Sequence, residues 1–327
     1  MSTATVSSTR RDRLAALAPI GVLAMVLAVL AFSSSSSIIK WAEVPGSVIA
    51  FWRMVLAVVL WWGVIAVRRA RTGRPAPSAA TWRRVLPAGL LFGLNISLFF
   101  TALGRTSIAH AEFITALSPV ALVPLGALLF HERPDRRALP WGVVTLAGLA
   151  MVLFLGGDQG GATVGGDLLV VCVVATWIGY LLTGRQARAT VDVVDFMSTM
   201  MPIGVLTAGP VALIIAGDEI WPMPAEGWVA AGLLAVLTGM LGHGLIAFAQ
   251  RELDVATIGI IQVAQPALAV CWAYVILGEE ITLAQVPGMV LVIAGLVAFT
   301  VISQRRTAPT PATVVDDQHG ELAGPAG

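Results

Sequence analysis

Residues 102–132, ALGRTSIAHAEFITALSPVALVPLGALLFHE, and residues 249–279, AQRELDVATIGIIQVAQPALAVCWAYVILGE, lie on one another without a gap when the chain is shifted by 147 positions. Pro119 then meets Pro266, Glu132 meets Glu279, Pro140 meets Pro287, and Gly148-Leu149 meets Gly295-Leu296. Over residues 99–153 the identities number 11 of 55, a weak count in so apolar a sequence. Their placement carries more: a proline in mid-segment, a glutamate just past its end and a glycine in the next segment recur together. The chain reads as two related units.

Outward from these copies the whole chain has the same character. Of 327 residues, 57% are hydrophobic and 12% charged, against roughly 25% charged in an ordinary soluble domain. A bilayer core takes about 20 residues of helix. Ten stretches qualify: 14–39, 46–67, 84–104, 108–130, 138–156, 166–184, 196–216, 228–250, 255–277 and 285–303. Their interiors carry Gly and Pro freely, as in PIGVLTAGPVALIIAG (202–217) and VLPAGLLFGLNISLFF (85–100), which a membrane bundle accepts. Trp41, Trp61, Trp82, Trp141, Trp221 and Trp228 fall near segment ends, where amphipathic rings prefer to lie. The expected fold class is an all-α integral membrane protein of ten transmembrane helices.

Orientation follows from the arginines. With both termini in the cytoplasm, the inside segments hold 17 basic residues: three in the N-terminal tail, six in 68–84, three in 131–137, two in 185–195, one in 251–254 and two in the C-terminal tail. Outside lie only Lys40 and Arg105, and Arg53 sits within the second stretch. Such a bias over short loops is positive-inside evidence. The first stretch is too long for a signal-peptide core, so it is read as retained. The expected location is the cell membrane, multi-pass. Residues 1–13 and 304–327 read as cytoplasmic tails, the latter disordered, around units 14–156 and 166–303.

Several functions drop out. No loop exceeds about 17 residues, and no phosphate-cradling Gly-rich motif is present. ATP hydrolysis in this polypeptide is therefore excluded. No basic tract suggests nucleic-acid binding, and no cofactor or metal is expected. Cys172 and Cys271 lie inside apolar runs without metal spacing.

A shift of 147 residues spans five helices, an odd number, so the two units are expected to sit upside down relative to one another. Inverted five-helix repeats suit alternating access around a midplane site. The chain further resembles the EamA-type transporters of the drug/metabolite transporter superfamily. The resemblance rests on the tandem units, on LSPVALVPLGALLFHERPD (117–135), on AQPALAVCWAYVILGEE (264–280), and on FWRMVLAVVL (51–60) with its early arginine; it covers about residues 15–303. It implies ten helices, cytoplasmic termini and export of amino acids, metabolites or toxic organic compounds. Two departures stand out: VVDFMSTMMPIG (193–204) carries no counterpart of Arg53, and the first helix has FSSSSSIIKW (32–41) where relatives often place a Trp-Gly pair.

The polar residues inside the stretches are the candidate site. Gln262 and Gln265 share a helix face ahead of Pro266, and the proline frees a carbonyl beside them. Thr115 and Ser118 stand at the matching positions before Pro119. Asn95 is the only amide in the third stretch, suited either to a substrate or to an interhelical hydrogen bond, and Gly89 and Gly93 suggest close packing there. Trp177 and Tyr180 form an aromatic pair for stacking or plain packing. His243 and Glu112 are the coupling candidates, with Arg53 and Lys40 as gating or anion-contacting groups; an Arg reaching the interface or capping a neighbouring helix competes for Arg53, a plain interfacial anchor for Lys40, and a packed core role for His243. Glu132 and Glu279 read as structural turn or capping residues.

The leading expectation is thus a secondary transporter, an exporter with a proton as candidate coupling ion. Its partners are a small-molecule substrate and the lipid bilayer, and the protein is a monomer or homodimer. A channel, a lipid-moving protein and an integral-membrane enzyme are the competing readings.

Overall fold

The computed structural model describes residues 19–103, 105–106, 108–131, 136–155, 163–278 and 281–305, which places Glu132 and Glu279 outside the described residues. Those described are helices and short connections, with no strand among them. The helices are α1 (Pro19–Ala42), α2 (Gly46–Thr72), α3 (Ala79–Leu103), α4 (Ile108–Ala116 continued by Ser118–Phe130), α5 (Leu139–Phe154), α6 (Val164–Arg188), α7 (Val193–Ala216), α8 (Ala225–Glu252), α9 (Val255–Leu277) and α10 (Val286–Arg305). Seven of them, α1, α2, α4 and α6 to α9, are long and apolar enough to cross a membrane among the described residues. α5, with 16 residues, is a shorter apolar helix.

Local chemistry explains where helices start and break. Thr163, Asp192 and Asp254 cap α6, α7 and α9 by accepting from the amides of Gly166, Val194 with Asp195, and Thr257, which meets donors the first turn leaves open. α2 ends at Gly73, whose φ of 68° is the left-handed cap that favours glycine. α4 and α9 break within one residue of matching points, at Leu117 and Val263. In each the proline two or three residues on, Pro119 or Pro266, withholds an N–H, leaving the Thr115 or Gln262 carbonyl without its intrahelical donor. α1 bends at Ser34, where Ser33, Ser34 and Ser35 each donate to the carbonyl three residues back at 2.7–3.0 Å. Such back-bonding commonly bends helices.

Small residues let the helices close on each other. A Cβ on Gly93 would stand 2.5 Å from the Gly204 carbonyl of α7, and one on Gly89 2.7 Å from Ile203. α5 and α10 cross as tightly: Gly148 meets the Gly288 carbonyl, while Gly295 meets Thr145 and the Trp141 carbonyl. Gly148 and Gly295 are the counterparts under the 147-residue shift. As numbers rise along α5 they fall along α10, so this pair runs antiparallel. α3 and α7 run parallel, since Gly89 faces Ile203 and Gly93 faces Thr207.

Candidate functional site

A cavity of about 300 Å³ opens among α1, α2, α3, α4, α6, α8 and α9. Lys40, Arg53, Asn95, Glu112, Thr115, Ser118, Trp177, His243, Gln262 and Gln265 all line it. The sequence places them up to 225 positions apart, and the breaks in α4 and α9 bring Thr115 with Ser118 and Gln262 with Gln265 to one chamber. Tyr180 stands one layer behind the wall, fully buried, with its ring 5.1 Å from Trp177 and 5.6 Å from Phe92.

Each polar side chain has a definite setting. Arg53, 8% exposed in mid-helix, donates to Thr238 Oγ1 at 2.7 Å, so it reaches a neighbouring helix rather than the interface. Asn95 donates from Nδ2 to the Val173 carbonyl at 2.8 Å and to Thr176 Oγ1 at 3.1 Å; it bridges α3 and α6 while facing the cavity. Glu112 lies in the first half of α4, buried at 9% exposure. Lys40 is exposed at the cavity mouth. His243 is 2% exposed, with Phe32 and Phe92 edge-on at 4.8 and 4.7 Å and Tyr180 and Trp177 at 6.0 and 6.3 Å.

Some contributors carried no signal of function in the sequence. Ala235–Gly242, just before His243, is a π-helix, a geometry found frequently at functional sites. Its wider turn leaves the Gly239 carbonyl to accept from Trp61 Nε1 at 3.0 Å and carries Thr238, the acceptor for Arg53. Nothing in AVLTGMLG betrays this; only the glycines hint at it. Phe32, Ser35 and Ser36 of the serine run also line the cavity.

The opposite end of the bundle is shut. Arg185 donates to the carbonyls of Gln250, at 2.7 Å, and Leu253, and its guanidinium lies 5.4 Å from the Phe130 ring centre. Buried Arg188 donates to the Ala247 carbonyl at 2.8 Å and to that of Val191. Arg68 pairs with Asp192 at 3.2 Å and with Asp195, tying α2 to α7. Burial alone works to raise the Asp192 carboxyl, but its hydrogen bonds with Asp195, the charge of Arg68 and the Val194 N–H outweigh that and hold it below the usual carboxylate range. Among the described residues no three His, Cys, Asp or Glu side chains gather to hold a metal ion. Chemically, the arrangement can bind a small polar molecule between two cations, one carboxyl group and a set of neutral hydrogen-bonding groups.

Comparison with known proteins supplies the class. The threonine/homoserine exporter RhtA of Salmonella typhimurium (strain SL1344) is 28% identical over 225 residues, covering 66% of this chain and 72% of its own. RhtA of Escherichia coli (strain K12) is 27% identical over 222 residues, covering 66% and 70%. A solved crystal structure superposes with a TM-score of 0.70 over 89% of this chain and 99% of its own at 22% identity, which establishes likeness of fold. The description EamA-like transporter family matches residues 19–154 and again residues 164–301. An all-helical membrane protein with two such repeats, the chain belongs to the EamA-like transporter family.

Proposed function

We propose that this protein is a secondary active exporter of a small metabolite of amino-acid size, working by alternating access between two inverted five-helix units. The observation that carries the reading is the cavity. Its volume lies at the lower end of the roughly 300–1,000 Å³ of small-molecule sites, it takes lining residues from both repeats at matched positions, and the bundle is shut beyond it. The antiparallel α5–α10 crossing, made by the same glycine of each copy, supports inversion. α3, α5 and α10 complete ten spans with the seven helices named above. The units then run 14–156 and 166–303, flanked by cytoplasmic tails 1–13 and 304–327, and the arginine-rich end faces the cytoplasm. On that orientation the described conformation is outward-facing.

In this scheme Arg53 and Lys40 attract a substrate carboxylate, Glu112 faces its ammonium group, and Asn95, Thr115, Ser118, Trp177, Gln262 and Gln265 surround the remainder. The names of the related exporters make threonine and homoserine the first substrates to test. Two cavity groups can carry a coupling proton, Glu112 and His243. Both line the wall; Glu112 is the better placed, because His243 is hemmed in by rings.

The test is efflux from proteoliposomes loaded with labelled threonine or homoserine under an imposed pH or sodium gradient. Saturable efflux that accelerates with one gradient is expected; flux that never saturates would mark a channel. Glu112→Gln should keep exchange and lose gradient-driven flux, and if it keeps both while His243→Gln loses the second, His243 is the carrier. Cysteines introduced in 68–84 and 185–195 should resist an impermeant thiol reagent outside cells and those in 217–227 should react, a pattern whose reversal would invert the orientation.

A further inference from the structure

Among the described residues, two uncharged side chains at the cavity carry buried polar atoms without a hydrogen-bond partner: Gln262, through Oε1, and His243, through both ring nitrogens. Their neighbours differ. Asn95 is satisfied by Val173 and Thr176, Thr115 by the carbonyls of Ala111 and Glu112, and Thr238 by Leu234 and Arg53. The Tyr180 hydroxyl is also unpartnered, but it does not reach the cavity. Buried polar groups are as a rule hydrogen-bonded, so the two that face the chamber and lack partners are those prepared for something that enters it.

The His243 ring cannot turn to find a partner elsewhere. Phe32 and Phe92 hold it edge-on at 4.8 and 4.7 Å. The Phe32 ring in turn occupies the space beside Gly242, where a Cβ would stand 2.7 Å from it. A neutral imidazole offers one donor and one acceptor, and an amide offers a donor end and an acceptor end. The smallest group that answers both is a hydroxyl, which donates once and accepts twice. A methyl group of the same size answers neither and would leave these buried atoms unpaired.

We infer that Gln262 and His243 together read a hydroxyl on the side chain of the bound amino acid, which makes them specificity-determining residues of the cavity. This rests on the amino-acid reading proposed above. The charged groups at Lys40, Arg53 and Glu112 recognise what every amino acid shares, whereas Gln262 and His243 recognise what distinguishes a hydroxylated one. A site built around a substrate hydroxyl discriminates sharply against the analogue that lacks it.

The experiment uses full-length protein in proteoliposomes, with labelled L-threonine counterflow inhibited by unlabelled L-threonine or by its isostere L-valine. Wild type should prefer threonine by at least about tenfold. Gln262→Met, close in volume but without an amide, should bring the ratio to about twofold or less by weakening threonine and not valine, with the melting temperature retained. Equal inhibition by both amino acids in wild type overturns the assignment and leaves the export reading standing; so does an unchanged ratio in the variant. The first of these is read on unmodified protein, so it holds even where the variant does not fold. Counterflow of neither amino acid, with transport of a different class of metabolite, overturns the amino-acid reading and the assignment together.

Discussion

At the Lys40 end the helices part around a chamber whose Gln262 and His243 atoms have no partner within the protein, while at the other end Arg68, Arg185 and Arg188 are engaged with carboxylates and backbone carbonyls. Both regions are rich in polar side chains set among apolar helices. In the cavity the polar groups are spread over seven helices and surround one chamber. At the closed end each arginine ties one element to another, and the Gln250 and Leu253 carbonyls that Arg185 uses lie at the end of α8, where acceptors are open in any case.

The comparison breaks most directly at Arg53, which belongs to the cavity and touches α8. Removing its charge with Arg53→Leu is expected to reduce substrate affinity in counterflow by about 10- to 100-fold, the equivalent of a charge-assisted hydrogen bond worth about 1.5–3 kcal/mol. Arg53→Lys should recover only part, because the amine lacks the guanidinium's fork. Retained affinity in the leucine variant, with normal membrane abundance, would confine Arg53 to holding Thr238.

A smaller effect is expected from Arg185→Ala, which frees the carbonyls of Gln250 and Leu253. The closed end should open more often, raising about tenfold the rate at which a cysteine placed at cavity-lining Ala116 reacts with a thiol reagent from the arginine-bearing side. An unchanged rate would mean that Arg188 and Arg68 suffice to keep that end shut.

The smallest concerns Asp192→Asn. The pair with Arg68 is partly exposed, so the loss of stability should be within about 1 kcal/mol. Since the Asp192 carboxyl is held below its ordinary value of about 3.9, its stabilisation is present in full above that value and disappears as pH falls through the lowered one. Melting curves of wild type and variant should therefore differ by a constant amount from pH 5 to 8 and converge only in stronger acid. A difference that shrinks already between pH 8 and 6 would point to another titrating group.

How much was legible depends on the residue. Asn95, Thr115, Ser118, Gln262 and Gln265 stand out as polar side chains inside apolar runs, and Arg53 and Glu112 as charges there; since such groups are costly in hydrocarbon, gathering them around one polar chamber is the low-energy arrangement, and the structure does so. Tyr180 and Trp177 look equivalent in the sequence, three residues apart, yet one faces the cavity and the other is wholly buried behind it. A helix face three residues wide can straddle the boundary between wall and core, and only the neighbouring helices decide on which side each ring falls. Arg185 and Arg188 were readable as loop charges but not as a closure, because their acceptors are backbone carbonyls, which every residue has and no sequence marks.

Segment by segment, the amino-acid sequence determined that this chain is a bundle of membrane helices in two related units, since length, hydropathy and the placement of Gly and Pro act within a single span. The pairings belong to the tertiary structure: Arg53 with Thr238 185 positions on, Asn95 with Val173 78 positions on, and Arg185 with Gln250 65 positions on. So do the π-helix that carries Thr238, the rings that hold His243 and the identity of the polar atoms left without partners. These depend on how helices cross, and crossing is decided by contacts such as Gly93 on Gly204 and Gly148 on Gly288. Each of those contacts brings together residues whose separation along the chain carries no information about their distance in space.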